Sequence, residues 1–175
     1  MSADRLEMGV RVAGLQRAAG TWSHGLAELA SNLGAIDDVA ELATAGRMVA
    51  DLLGADDVSL MTVKGQPAAI VELLSAHPDN LPGESWLLDD FPATANLVAT
   101  GRVGQVVAGD PLGGVAELAR LGIGAMLMVP LELGRGRRAL MEVYRVRPQA
   151  FSRAQIERAR VVALQLGAVI SRLTV

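Results

Sequence analysis

The sequence predicts an α+β domain built on an antiparallel sheet, with long helices against one of its faces. Three observations lead there. Apolar stripes at helical spacing stand at both ends of the chain, the strand-like runs between them come in two hairpin pairs, and a mixed crossover with short helices separates the pairs. Apolar residues make up 51% of the 175 residues and charged residues 20%, enough to build a core and too apolar for disorder.

The first stripe is a heptad seam. Met8, Val12, Leu15, Ala19, Trp22, Leu26, Leu29, Leu33 and Ile36 recur at alternating spacings of four and three. Its flanks (Gln16, Ser23, Ala30, Ala18, Gly25 and Asn32) carry no charge, which suits a multi-helix bundle better than a two-stranded zipper. Gly9, Gly14, Gly20 and Gly25 each cost about 1 kcal/mol relative to alanine, so the helix needs packing partners and a break is expected near Gly20-Thr21. An ordinary core helix in the same register is the alternative. Residues 1–36 thus form a bundle helix and 37–175 the body of the domain, one globular unit overall.

Asp37 is placed to cap a second helix that runs to Leu53 and stops at Gly54. Val58 to Val63 reads as a buried strand, Gly65-Gln66-Pro67 as a turn and Ala68 to Leu74 as its hairpin partner. Trp86-Leu87-Leu88 is a short apolar segment. Pro92 opens a short helix ending at Thr100 before Gly101, Gln105 to Ala108 is a short strand, and Val115 to Leu121 is a helix stopped by Gly122. Ala125 to Leu133 and Arg138 to Val146 form the second hairpin. Ser152 caps a final helix to Leu173, whose main stripe runs through Ile156, Ala159, Val162, Ala163, Leu166, Val169, Ile170 and Leu173. Val161, Leu164 and Ala168 add a weaker strip on nearly the opposite side. A helix packed only on its own sheet has no use for that strip, whereas a partner helix does.

Composition removes several function classes. No cysteine is present, which excludes disulfides, thiolate metal sites and thioether-linked cofactors. A net charge of −3 offers no basic face for nucleic acid. The longest apolar run, Ala125 to Leu131, is far short of a membrane span, and Asp4, Arg5 and Glu7 break up any secretory leader, so a cytoplasmic protein without membrane contact is expected. Gly122-Ile123-Gly124 lacks the rest of a dinucleotide fingerprint, and no serine has a histidine placed beside it by motif. No catalytic residue and no metal site is predicted.

Four stretches then carry a family likeness. They are Leu42-Ala43 through Asp57-Val58-Ser59-Leu60, the segment Trp86-Leu87-Leu88-Asp89-Asp90-Phe91-Pro92, the run Gly122 to Leu131 continuing into Arg138 to Tyr144, and Phe151-Ser152 with the closing helix. In this order they resemble a GAF domain, the small-molecule sensor module, from about Val39 to Leu173. The resemblance implies five or six antiparallel strands between two helical layers, with the terminal helices joining a second subunit in a four-helix bundle. It places a ligand pocket on the opposite face, under the crossover, and implies a non-enzymatic regulatory role in signalling. Bilin-binding members attach the chromophore through cysteine, and the free methionine sulfoxide reductases use cysteine as nucleophile; both are excluded here. Members of the cyclic-nucleotide phosphodiesterase type carry an Asn-Lys…Phe…Asp-Glu signature that the only lysine, Lys64, lacks.

Candidate ligand-pocket residues are Trp86, Asp89, Phe91, Met126, Met128, Glu142 and Tyr144. Leu140, Glu142 and Tyr144 share one strand face, and a carboxylate among apolar neighbours needs a partner or takes a raised pKa. Glu142 either meets a ligand donor or bonds a backbone amide or arginine. Trp86 and Phe91 either lid a flat ligand or seal the sheet, with Asp90 capping the next helix. Methionines at 126 and 128 line a cavity or fill it themselves. Candidate dimer residues are Leu15, Trp22, Leu26, Leu29, Val161, Leu164 and Ala168. Haem is not expected, because His77 precedes Pro78 in a loop, and Arg135 to Arg138 read as a polar hairpin tip.

Overall fold

The computed structural model describes residues 20–75, 82–109, 118 and 121–173. Helix α1 is described over 20–35, with the expected break near Gly20-Thr21 at the edge of the described residues, and a 3-10 turn (Val39–Glu41) leads into α2 (Leu42–Leu53). β1 (Asp57–Lys64) and β2 (Ala69–Leu74) form the first hairpin. The crossover holds β3 (Ser85–Leu87), a 3-10 turn (Leu88–Asp90), α3 (Pro92–Thr100) and β4 (Gly104–Val107). β5 (Ala125–Glu132), β6 (Arg138–Arg145) and α4 (Arg153–Leu173) complete the chain. The expected helix from Val115 to Leu121 lies outside the described residues except at its buried Leu118 and at Leu121.

All strands join one six-stranded sheet in the order β3-β2-β1-β6-β5-β4, each pair antiparallel. The two hairpins meet at β1 and β6, and the four central strands bury apolar side chains on both faces. On one face, α1, α2 and α4 bury Leu29, Leu33, Val49, Val162, Leu166 and Ile170 against Leu60, Leu127, Val129, Met141 and Val143. On the other, α3 and the turn before it set Val98 and Leu88 on Met61, Ile70, Met128 and Leu140. The fold is α+β with its long helices on one side.

Local chemistry fixes the joints. Asp38, one residue after the expected cap, accepts from Ala40 N at 3.0 Å, while Asp37 N donates to Glu41 Oε2 at 2.9 Å. Gly54 ends α2 in the left-handed region, at φ 61°. Ser152 and Gln155 form a reciprocal capping box: Gln155 N donates to Ser152 Oγ at 3.3 Å and Ser152 N to Gln155 Oε1 at 3.1 Å. Asp90 does not cap α3. That helix opens after Phe91 on the proline at its first position, whose missing N–H leaves less to cap.

A β-bulge shifts the register of β2 between the partners of Leu60 and Met61. Leu60 faces Leu74 and Met61 faces Glu72, so Leu73 and Leu74 both turn toward the helices while Glu72 points to the α3 side. The extra residue, Leu73, thereby keeps two consecutive leucines in the core, while Glu72 shares the face of Ile70 by ordinary alternation.

Candidate functional site

The α3-side face of the sheet carries three rows that the pairing brings together. Ser59 lies beside Glu142, Glu142 beside Met128, Met61 beside Glu72, and Met126 beside Tyr144. Ser59 and Glu72 are each 3% exposed, and Glu142, Tyr144 and Met126 are half-buried. Tyr144 donates its hydroxyl to Glu142 Oε2. Ser59 is hydrogen-bonded to both Glu72 and Tyr144, which makes one continuous network across three strands. Glu72 Oε1 is buried and has no hydrogen-bond partner among the described residues.

The electrostatics follow from that burial. Desolvation, then the charge of Glu142, push Glu72 from the usual 4.5 up to about 7, against a hydrogen bond from Ser59 that favours its ionised form. Desolvation likewise raises Glu142, and the Tyr144 hydroxyl opposes it. Desolvation and the neighbouring Glu142 raise Tyr144 well above the ordinary phenol value. Burial thus disfavours the ionised form of all three groups, and an incoming positive charge favours ionisation of the two carboxyls.

Four of the candidate pocket residues share this region: Met126, Met128, Glu142 and Tyr144. Of the two alternatives for Glu142, neither a backbone amide nor an arginine is its partner among the described residues; the phenol two positions along the strand is. Met128 is 3% exposed and packs with Leu140, Leu88 and Val98, so that end of the face is filled. Trp86, Asp89 and Phe91 stand elsewhere. Trp86 pairs with Ile70 at the far edge of the sheet, Asp89 is exposed, and Phe91 is 43% exposed. Three strand spacings of about 5 Å each separate the strand of Trp86 from that of Glu142. Ser59 and Glu72 are the network members that sequence patterning missed. For Glu72, a lone charge inside Ala-Ile-Val-Glu-Leu-Leu was the available signal, the same kind that singled out Glu142.

The helical face gives a different result for the dimer candidates. Leu29 is 0% exposed within its own subunit and has no surface to offer a partner, while Trp22 and Leu26 are half-buried against the same core. The α1 seam faces inward because α2 and α4 supply its apolar partners, and Arg158 of α4 lies over the Trp22 ring at 5.0 Å. Gly25 sits under Leu52, where an added Cβ would come within 2.6 Å, so the glycine lets α1 settle closely on α2. The second strip of α4 does point outward: Val161 is 41% and Leu164 77% exposed, and Ala168 is exposed as well. Beside it, where β5 continues past the end of β4, a groove of about 290 Å³ is lined by Val103, Val129, Leu131, Arg160 and Leu164. This groove lies at the sheet edge, apart from the acid network. Leu15 and His77 lie outside the described residues.

Among the described residues no helix is long and apolar enough to cross a membrane, and no group of three or more His, Asp or Glu is placed to hold a metal ion. Arg137 donates to Ser171 Oγ at 2.9 Å and Arg138 to the carbonyl of Val98, so those two cations of the β5–β6 hairpin are tied to the fold.

The comparisons with known proteins agree with this architecture. The profile of the GAF domain matches residues 39–170. The GAF domain of a cyanobacterial phytochrome, solved with phycoerythrobilin bound, superposes with a TM-score of 0.69 at 14% identity, over 87% of this chain and 96% of that one. The GAF domain of an Acinetobacter phosphoenolpyruvate-protein phosphotransferase gives 0.67 at 16% identity, over 99% and 96%. The corresponding domain from Coxiella burnetii gives 0.68 at 12% identity, over 87% and 94%. At these identities the likeness is one of fold. No curated protein sequence matches the chain. The match over most of the chain, together with a six-stranded antiparallel sheet between two helical layers, identifies it as a member of the GAF domain family, a sensor and regulatory fold.

Proposed function

We propose that this protein is a non-enzymatic regulatory module of the cytoplasm that binds a small molecule on the α3-side face of its sheet and acts in signal transduction as a homodimer. The observation that carries the ligand half is the buried network of Ser59, Glu72, Glu142 and Tyr144, with its unpartnered Glu72 oxygen. Such groups cost stability inside a domain unless something outside the fold makes use of them. The dimer half rests on the outward strip of α4 and the groove beside it. A bilin attached through a thioether has no place here, because the chain has no cysteine.

Light scattering on the purified chain tests the dimer: a dimer mass at micromolar concentration is expected, and a clean monomer counts against it. A thermal-shift panel of cyclic nucleotides, amino acids, haem and small organic ions tests ligand binding, with a rise in Tm expected for at least one class. A second reading is favoured by one observation, the packing of Met61, Met128 and Leu140 under Leu88 and Val98. There the pocket is filled by its own side chains, and the domain serves only for dimerisation or protein docking. No shift with any compound supports that second reading.

A further inference from the structure

Donors and acceptors in the α3-side network do not balance. When both carboxyls ionise, Ser59 and Tyr144 bring only two hydroxyl protons against the four oxygens of Glu72 and Glu142. One of the four, Glu72 Oε1, is buried and unpartnered on a side chain that is 3% exposed. Buried carboxylates in proteins are paired with cations or bound to metals. Among the described residues the nearby charges do not answer them. Arg138, on the same face of β6, lies beyond Leu140 and donates to the Val98 carbonyl. Lys64 is exposed at the end of β1, Asp57 at its start and Glu84 before β3, and Glu84 adds further negative potential. Neither α3 nor β4 carries a charged residue.

The deficit defines the complement. An anion meets two acids, and a neutral acceptor finds both hydroxyl protons engaged. A group that brings N–H donors together with positive charge satisfies the orphaned oxygen and offsets the negative charge at once. We propose that this face binds a small organic cation, a protonated amine or guanidinium, held between Glu72 and Glu142 with Ser59 and Tyr144 orienting the two carboxylates. The inference rests on the ligand-binding reading above and adds the ligand's chemistry. Glu142, Tyr144 and Met126 keep some exposure while Glu72 and Ser59 keep almost none, so the cationic end reaches Glu72 at the floor. Met126 lies beside Tyr144 and adapts to the apolar stem.

The test uses the whole chain, with agmatine and putrescine as cationic probes, succinate as the anion and glucose as the neutral compound, followed by calorimetry and thermal shift. Agmatine or putrescine is expected to bind, at least tenfold more weakly to Glu72→Gln and to Glu142→Gln. Because Glu72 titrates near 7 and must ionise toward the cation, affinity is expected to rise about tenfold from pH 6 to pH 8. Calorimetry of the unmutated chain at pH 7 in buffers of different ionisation heat should show about half a proton released on binding, a readout that does not depend on either variant folding. Tighter binding of succinate or glucose than of both cations overturns the cation and leaves the sensor reading standing. Cation binding unchanged in both folded variants, or without proton release, also overturns it. Absence of binding by all four probes overturns the cation, and the sensor reading falls with it only if the wider panel is silent too.

Discussion

Glu72 and Arg145 show how differently a buried charge can be treated in one small domain. Arg145, 8% exposed, donates to the carbonyls of Gly54, Gln149 and Ala150 at 3.1–3.3 Å and lies 4.1 Å over the Phe151 ring. Its charge meets the carbonyl end of α2, where the helix dipole favours a cation. Glu72 has no such partner, and the consequence is a pH dependence whose sign is fixed. The folded state holds a proton on Glu72 up to about pH 7, while the unfolded chain releases it near 4.5. Between those values the folded state binds more protons, so its stability falls as pH rises, by on the order of 1 kcal/mol per pH unit. Glu142 acts in the same direction. Chemical denaturation from pH 5 to pH 8 should record this decline, and Glu72→Gln should flatten it and raise stability at pH 8. A variant less stable than the parent at pH 8 would show that the carboxylate is satisfied after all.

At the scale of elements, the joints between strands and helices constrain the chain more tightly than the helices do. Gly124 starts β5 with its amide on the carbonyl of Arg145 at 2.7 Å, and an added Cβ would lie 2.3 Å from the carbonyl oxygen of Val146 and 2.4 Å from the carbonyl carbon of Arg147. Those are backbone atoms held by the Val146 amide's bond to Asp56 and by the anchorage of Arg145, so they cannot step aside cheaply. Gly124→Ala is expected to cost about 3 kcal/mol and lower Tm by roughly 6–12 °C, read by calorimetry. Gly34→Ala, where nothing lies within 4 Å, should be neutral or stabilising and serves as the control. Equal losses in both would mean that the close approach at Gly124 relaxes freely. Gln155 performs two tasks from one position: it completes the α4 cap and donates to the carbonyl of Leu53 at 3.0 Å, tying the start of α4 to the end of α2.

For the whole molecule, the sheet divides two roles. Its helical side is closed by α1, α2 and α4, and Arg172 near the end of α4 donates to the carbonyls of Leu33 and Ile36 at the end of α1. What remains for a second subunit on α4 is the strip of Val161, Leu164 and Ala168. Leu164→Asp places a charge on that strip without touching the core, so it should leave the fold within about 0.5 kcal/mol of the parent. Sedimentation or light scattering should then report a monomer where the parent is a dimer. A variant that still dimerises moves the interface off α4.

Periodicity and turn chemistry determined most of the described elements by themselves, while β3 was legible only as a short apolar segment. Gly54, the Pro92 start, the Gly134–Gly136 turn and the Ser152 cap act through neighbouring atoms, which is why their effects are written in the local order of residues. The order of elements was also enough to indicate a two-layered α+β sheet. Two things depended on contacts between distant segments. The heptad seam of α1 states that one face must be covered and does not say by which chain; α2 and α4 cover it from within. The network of Ser59, Glu72, Glu142 and Tyr144 exists because β1 pairs with both β2 and β6, in a register that sets Glu72 beside Met61 and Ser59 beside Glu142. A one-residue shift of register turns a strand's side chains to the opposite face, so the site was decided only when the strands met.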